Sequence, residues 1–177
     1  MKYRPTFSFM LQHPAHILGL GLGSGLAPKA PGTFGTLWAW AVWEILWFAG
    51  TPLNGLWLLT LVSIPVGWWA CTLTARHMGI DDPGSIVWDE VAAFWLVLCA
   101  MTSLLATPWG STAYWLWHLA AFAVFRFFDA AKPQPVRWAD RAFKGAGWRG
   151  GWGIMFDDLV AAVCTIIVLW GAALYLR

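Results

Sequence analysis

Long apolar stretches with almost no charge dominate the sequence and restrict the folds open to it. Charged residues make up 11% of the 177 residues, and hydrophobic residues make up 59%. A soluble domain has about 25% charged residues, so an ordinary cytosolic fold is excluded. The 16 Trp and 11 Phe also exclude a disordered chain, because disorder goes with few aromatic residues and much charge. We therefore predict an integral membrane protein.

Five apolar windows set the expected architecture. They cover residues 37–50, 53–75, 91–107, 112–128 and 159–176. A membrane crossing needs about 20 apolar residues, and the second, third and fifth windows are comfortably long enough. Glu44, His118 and Arg126 allow the other two to be tilted, partly embedded or packed inside a bundle. The predicted fold class is an all-α bundle of four to five membrane-associated helices, in one domain over residues 1–177.

Charge is distributed unevenly between the connections of these windows. Residues 51–54 and 108–111 carry no charge, whereas the other connections hold nearly every charged residue. The Lys/Arg excess of the charged connections assigns them to the cytoplasm by the positive-inside rule. If each window crosses the membrane once, all of the charged connections lie on the cytoplasmic face. The net charge of +2, with no long basic run, argues against nucleic acid as a partner.

The first candidate motif leads into the third window and spans residues 81–90. Asp82 before Pro83 is typical of a helix N-cap followed by proline, so we expect a helix from there that places Asp82 and Asp89 on one face. Crowded carboxylates repel one another unless a cation joins them, and Mg²⁺ binds carboxylates together with waters and phosphate. The alternative is that Asp82 only caps the helix and that Asp89 and Glu90 are solvated acids stabilised by the helix dipole.

The second candidate motif closes the fourth window. Arg126 and Asp129 lie three residues apart, so an ion pair within one helix is the structural alternative here. An acid at the membrane boundary near Lys132 and Arg137 also suits a phosphate site, with a cation on the acid and basic groups on the anion.

The third candidate motif, residues 150–158, combines glycines with paired acids. Three glycines predict a loop that approaches a ligand with bare backbone, and Asp157 and Asp158 are expected where the last helix opens. A helix cap explains only one of two adjacent acids, so the pair is a candidate metal site.

A glycine-rich segment, residues 19–36, resembles a phosphate-cradling loop in composition but lacks the residue order of a nucleotide P-loop. Thr33 or Thr36 is expected to cap a helix that begins at Leu37. Lys29 is a candidate contact for a lipid headgroup.

Taken together, these motifs resemble those of the phosphatidylglycerophosphatase A family. The resemblance runs from residue 19 to the last helix and rests on residues 23–28 with 31–36, then 82–90, 125–141 and 150–158. It implies a bacterial, Mg²⁺-dependent phosphatase that removes the terminal phosphate of phosphatidylglycerophosphate and leaves phosphatidylglycerol. It also implies a central helix surrounded by others, with the polar loops on the cytoplasmic face of the inner membrane.

The family's acidic motifs correspond in this sequence to Asp82, Asp89, Glu90, Asp129, Asp140, Asp157 and Asp158. All of these except Asp140 are candidate ligands of Mg²⁺. The candidate catalytic residues are Asp89, Asp129, Lys132 and Arg137. The candidate substrate-binding residues are Ser24, Lys29, Thr33, Arg126 and Arg141. The expected mechanism is metal-assisted hydrolysis, in which basic side chains offset charge on the phosphate. The sequence leaves open which acid acts as the base and whether one is a covalent nucleophile.

Two other function classes compete with a lipid phosphatase. A small cation-conducting or transporting protein needs charges in the middle of its spans, and Glu44 is the one candidate. A non-catalytic membrane scaffold leaves three acidic clusters on one face without a purpose. The cysteines are expected to be core residues, and His13 and His16 to be surface groups. No cleavage site for a signal peptide is recognisable, so we expect the N-terminus to be retained. The sequence does not set the oligomeric state.

Overall fold

The computed structural model describes residues 4–176 as helices joined by short connections. Two short helices, α1 (Phe7–Leu11) and α2 (Pro14–Gly19), precede a 3-10 segment at Gly21–Leu26. Six further helices follow: α3 (Pro31–Phe48), α4 (Leu53–Met78), α5 (Trp88–Leu105), α6 (Thr112–Ala131), α7 (Val136–Ala142) and α8 (Gly147–Tyr175). No strand occurs within residues 4–176, so the predicted all-α class is confirmed.

Three helices in the described part of the chain are long and apolar enough to cross a membrane, namely α4, α5 and α8. They correspond to the three windows that the sequence singled out as long enough, except that residues 106, 107 and 176 lie past the helix ends. The 29 residues of α8 give it a length of about 43 Å, which exceeds the roughly 30 Å hydrocarbon core of a bilayer. One end of α8 therefore extends beyond that core.

The five long helices alternate in direction, so that their polar ends meet. The start of α3 lies against the end of α6, because a Cβ atom on Gly32 would lie 3.3 Å from Nη1 of Arg126. At the opposite end of the bundle, Glu44 of α3 accepts a hydrogen bond of 3.0 Å from Tyr114, near the start of α6. The charged connections consequently share one end, as the uneven charge distribution predicted.

Helix α5 is the central helix of the bundle. Twelve of its 18 residues are buried, and it packs against α3, α4, α6 and α8. Its indole groups also bond to its neighbours: Trp88 donates to the Ser63 carbonyl at 3.1 Å, and Trp95 donates to the Ala39 carbonyl at 2.9 Å. These bonds satisfy buried N–H groups and fix α5 relative to α3 and α4.

The outer faces of α4 and α8 are apolar and exposed. Leu58 and Leu61 of α4 and Ile167 and Leu174 of α8 are all more than half exposed. Such continuous apolar faces are costly in water and suit contact with lipid acyl chains. The cysteines carry no disulfide in the described chain, and Cys71 and Cys99 are buried, which agrees with their predicted place in the core.

Two helices, α3 and the central helix α5, begin at residues other than those predicted. Helix α3 begins at Pro31 rather than at Leu37, and Thr36 bonds back to the Gly32 carbonyl at 2.9 Å instead of capping. Helix α5 begins at Trp88, so Asp82 lies in an irregular turn and shares no helix face with Asp89. The Val87 N–H donates to the Gly19 carbonyl at 2.9 Å, and this tertiary bond holds the turn in place.

The start of α8 also differs from the prediction. The helix begins at Gly147, so the expected glycine loop is helical and Asp157 and Asp158 lie inside the helix. Close packing accounts for the glycines, because a Cβ atom on Gly151 would lie 2.9 Å from the Thr72 Cα of α4. The contact between α4 and α8 thus overrides the low helix propensity of glycine.

This contact predicts that Gly151→Val destabilises the protein by about 1–3 kcal/mol, because the added side chain forces the two backbones apart. The matched control is Gly171→Val in the same helix, where an added Cβ atom meets nothing within 4 Å. Thermal unfolding in detergent checks both variants. Equal melting temperatures for the two variants would contradict the proposed packing.

Candidate active site

A cavity of about 220 Å³ lies at the polar end of the bundle. Eight of the nine acidic residues of the chain line it, and the ninth is Glu44. The eight are Asp81, Asp82, Asp89, Glu90, Asp129, Asp140, Asp157 and Asp158. Lys132 and Lys144 also line this cavity. We call it the active-site cavity.

Three of these residues form a tight group, the acid cluster of Asp89, Glu90 and Asp158. Each offers a carboxylate oxygen, and these oxygens all lie within 4.8 Å of one another. All three residues are buried. Asp89 and Glu90 occupy the first turn of α5, where the helix dipole favours negative charge. Even so, three buried carboxylates at this spacing repel one another strongly unless a cation or protons join them.

Two oxygen atoms of the acid cluster have no hydrogen-bond partner among the described residues, Oδ1 of Asp89 and Oε2 of Glu90. Buried polar atoms in proteins are nearly always hydrogen-bonded, so these two oxygens need a partner from elsewhere. The cluster offers only carboxylate oxygen, which hard divalent cations prefer as a ligand. The residues of the acid cluster therefore fit a bound cation of that class.

Arg126 connects α6 to the acid cluster. Its Nη1 atom bonds to Asp129, so the ion pair considered as the structural alternative for these two residues is present. The same atom lies 3.8 Å from Oε1 of Glu90. The same atom is 3.4 Å from the Thr36 hydroxyl of α3. The carboxylate of Asp129 in turn interacts electrostatically with that of Asp158. One guanidinium thus offsets part of the negative charge next to the acid cluster.

Lys132 joins three helices on the other side of the cavity. Its Nζ atom donates to Asp140 of α7 at 2.6 Å and to Asp157 of α8 at 2.5 Å. Lys132 ends α6 with a φ of 44°, a left-handed conformation that costs a non-glycine residue about 1–2 kcal/mol. Burial disfavours the Lys132 ammonium, but its hydrogen bonds to the two carboxylates outweigh burial and raise the pKa of Lys132. An ammonium group has three donors, so one remains for a ligand in the cavity.

Asp140 pairs with a second lysine as well. Nζ of Lys144 lies 3.1 Å from Oδ2 of Asp140. Burial alone would raise the pKa of Asp140, but hydrogen bonds from Lys132 and Lys144 outweigh it and lower that pKa. Asp140 therefore fixes the position of Lys132. Its spacing from Lys132 in the sequence gives no sign of this pairing, and only the family resemblance drew attention to Asp140.

The six candidate metal ligands all reach the active-site cavity, but in different settings. The structure places Asp89, Glu90 and Asp158 in the acid cluster. Asp129 and Asp157 line the cavity in ion pairs with Arg126 and Lys132. Asp82 also lines it, from an exposed turn.

The remaining candidates lie outside the lining of this cavity. Arg137 and Arg141 are exposed on α7, and Lys29 is exposed in the turn before α3. The Ser24 hydroxyl donates to the Gly21 carbonyl at 2.8 Å, and Thr33 lies in the first turn of α3. The sequence showed their polarity, whereas their distance from the acids depends on the tertiary fold.

Comparison with known proteins gives one family match and several relatives. The sequence profile of the family described as Phosphatidylglycerophosphatase A matches residues 17–173. A protein of Escherichia coli named Phosphatidylglycerophosphatase A is 39% identical over 160 residues, which are 90% of this chain and 84% of the relative. A protein of the same name from Haemophilus influenzae is 38% identical over 166 residues, 94% of this chain and 93% of the relative. A Bacteroides thetaiotaomicron protein named "Putative phosphatidylinositol-3-phosphatase" is 37% identical over 171 residues, 94% of each. No solved structure matches.

Gly32 leaves the room that Glu90 occupies, since an added Cβ atom would lie 3.1 Å from Cδ of Glu90. We expect Gly32→Ala to displace this carboxylate and to weaken binding of Mn²⁺, used as a probe cation, by about tenfold or more. Titration of the purified protein with Mn²⁺ measures the effect. Gly55→Ala is the control, because its nearest contact would be an ordinary 3.4 Å. Unchanged Mn²⁺ affinity in Gly32→Ala would exclude Glu90 as a ligand.

The lowered pKa of Asp140 predicts a pH-dependent contribution to stability. This contribution is complete above the ordinary carboxyl pKa of 3.8 and is lost as pH falls through the lower pKa of the folded protein. Asp140→Asn should therefore cost up to about 1 kcal/mol at pH 7 and progressively less toward pH 3. Denaturation at both pH values checks this, with exposed Asp81→Asn as the control. A destabilisation that does not change with pH would contradict the assignment.

Proposed function

The chain belongs to the phosphatidylglycerophosphatase A family, and we propose that Mg²⁺ held by the acid cluster assists its reaction. That reaction is hydrolysis of the terminal phosphate monoester of phosphatidylglycerophosphate, which leaves phosphatidylglycerol and inorganic phosphate. The observation that carries the metal assignment is the pair of unpartnered oxygens on Asp89 and Glu90, inside a group of three buried carboxylates. An all-oxygen ligand set next to a phosphate group is the setting in which Mg²⁺ commonly binds.

Asp89, Glu90 and Asp158 would hold the cation. When bound, Mg²⁺ polarises the phosphoryl oxygens and offsets their negative charge. The free donor of Lys132 binds a further phosphate oxygen, because Asp140 and Asp157 hold its other two donors and fix its direction. A donor fixed in advance stabilises developing charge without reorganising during the reaction.

We assign the orientation of the attacking water to Asp129. Its carboxylate lines the cavity beside the acid cluster without belonging to it. Arg126 holds this side chain in place through a direct ion pair. A carboxylate so placed accepts a hydrogen bond from a water that faces the phosphorus atom.

Position at the end of the bundle supports action on a lipid in the membrane. The acyl chains can stay in the bilayer while the headgroup enters the active-site cavity. Arg137 and Arg141 on the exposed face of α7 would attract anionic lipid. Each basic residue near a membrane surface contributes about 1 kcal/mol to binding of an anionic bilayer. The excess of Lys and Arg at this end supports the proposal that the site faces the cytoplasm at a bacterial inner membrane. Ser24 and Lys29 before α3, and Thr33 in the first turn of α3, remain proposed headgroup contacts.

Glu44, on which the cation-transport alternative depended, has a structural role. Its carboxylate accepts hydrogen bonds from Trp40 at 2.9 Å and from Tyr114 at 3.0 Å, and it lies 2.9 Å from Nδ1 of His118. Trp109 donates to it as well, at 3.2 Å. Side chains of the protein occupy its oxygens, so Glu44 joins α3 to α6 at the end of the bundle opposite the acids.

Asp89→Asn tests the metal assignment directly. We expect phosphate release from phosphatidylglycerophosphate to fall by about a hundredfold or more. Losing a direct metal ligand should cost more than losing a residue that only orients a ligand, which typically costs about 10–100-fold. EDTA should abolish wild-type activity. In EDTA the variant should melt at the same or a higher temperature than wild type, because it removes one of three repelling charges. Near wild-type turnover, or turnover in EDTA, would contradict the proposal.

A further inference from the structure

A second and larger cavity of about 700 Å³ adjoins the active-site cavity. We call it the groove. It lies between the start of the described chain, the loop before α3 and the turn before α5. Asp82 and Gly84 line both spaces, so a ligand that extends out of the active-site cavity at this turn enters the groove.

The chemistry of the groove differs from that of the active-site cavity. Its walls are formed mostly by glycine, alanine, proline, Leu26 and Ile80, and Asp82 is the one acid among the lining residues. Arg4 is the one cationic residue of this lining, and it makes no ion pair within residues 4–176. The groove therefore offers an apolar surface and one cation whose charge is not offset by a partner.

The substrate has a matching arrangement of charge. Phosphatidylglycerophosphate carries the monoester that is hydrolysed and, at the other end of its headgroup glycerol, the phosphodiester that leads to the acyl chains. With the monoester in the active-site cavity, the anionic phosphodiester lies outside it. Eight acids line the active-site cavity and repel a second anion there, whereas Arg4 in the groove attracts one.

Two exposed aromatic residues lie within three residues in the sequence of prolines that line the groove. Phe7, two residues after Pro5, is 64% exposed, and Phe34, three residues after Pro31, is 50% exposed. Large exposed apolar residues next to a charged opening are typical of contact with the membrane interface. Acyl chains that leave the groove would meet this surface rather than water.

We propose that the groove binds the phosphatidyl end of the substrate and that Arg4 contacts its phosphodiester. Gly84 lines both spaces, and a Cβ atom there would meet nothing within 4 Å, so a larger side chain at this position would extend into open space. This assignment rests on the proposed function and deepens it, since it explains how a lipid with two phosphate groups is placed with the monoester at the acid cluster.

Arg4→Ala in the full chain, in detergent micelles, tests the contact. We expect KM for phosphatidylglycerophosphate and the inhibition constant of phosphatidylglycerol to rise together by about tenfold, since both molecules carry the phosphodiester. The inhibition constant of inorganic phosphate and kcat should stay within about twofold, and Arg4→Lys should recover part of the loss. Arg149→Ala, which removes an exposed arginine outside the groove, should change none of these values.

Unchanged constants for both lipids in Arg4→Ala, or an equal rise for inorganic phosphate, would overturn the assignment. Gly84→Leu adds an independent test: it should lower turnover of the lipid and leave inhibition by phosphate intact, with Gly171→Leu as the matched control. Normal lipid turnover in Gly84→Leu would also overturn it. If wild type fails to hydrolyse phosphatidylglycerophosphate, the proposed function fails, whereas calorimetric binding of short-chain phosphatidylglycerol to wild type and Arg4→Ala still decides on the groove.

Discussion

Repulsion among the three carboxylates of the acid cluster is the constraint around which the polar end of this protein is arranged. Asp89, Glu90 and Asp158 are buried close together, and burial strengthens like-charge repulsion because water no longer screens it. The dipole of α5 and the nearby Arg126 offset only part of this charge. A divalent cation would remove this repulsion and supply partners for the two unpaired oxygens, so the repulsion among the carboxylates and the affinity of the acid cluster for a cation have the same origin.

The bundle serves to bring these acids together from distant parts of the chain. Alternation of five helices returns the polar ends of α3, α5 and α6 to one place, while α8 supplies acids about three turns from its start. Glycines at the helix contacts allow the close approach, as at Gly151 beside Thr72. Ion pairs of Lys132 then tie α6, α7 and α8 together around the cavity. The same contacts that hold the helices in register therefore position the charged groups.

Apolar windows and uncharged connections were enough to predict the helical membrane bundle and the shared polar end, because these features depend on composition over many residues. Helix starts were predicted poorly, since the bond between Val87 and the Gly19 carbonyl and the packing of Gly151 are tertiary. Spacing predicted the pair of Arg126 and Asp129, which lie within one helix. It could not show that Asp158 belongs with Asp89 rather than with its neighbour Asp157, or that Arg4 faces a groove.

We propose that one divalent cation binds among Asp89, Glu90 and Asp158. Anomalous diffraction from crystals grown with Mn²⁺ tests it most directly, because the signal locates the ion without reference to activity. We expect a peak within coordination distance of carboxylate oxygens from all three residues, at about 2.0–2.6 Å for a hard cation. A peak elsewhere in the active-site cavity, or no peak at Mn²⁺ concentrations that support turnover, would contradict it.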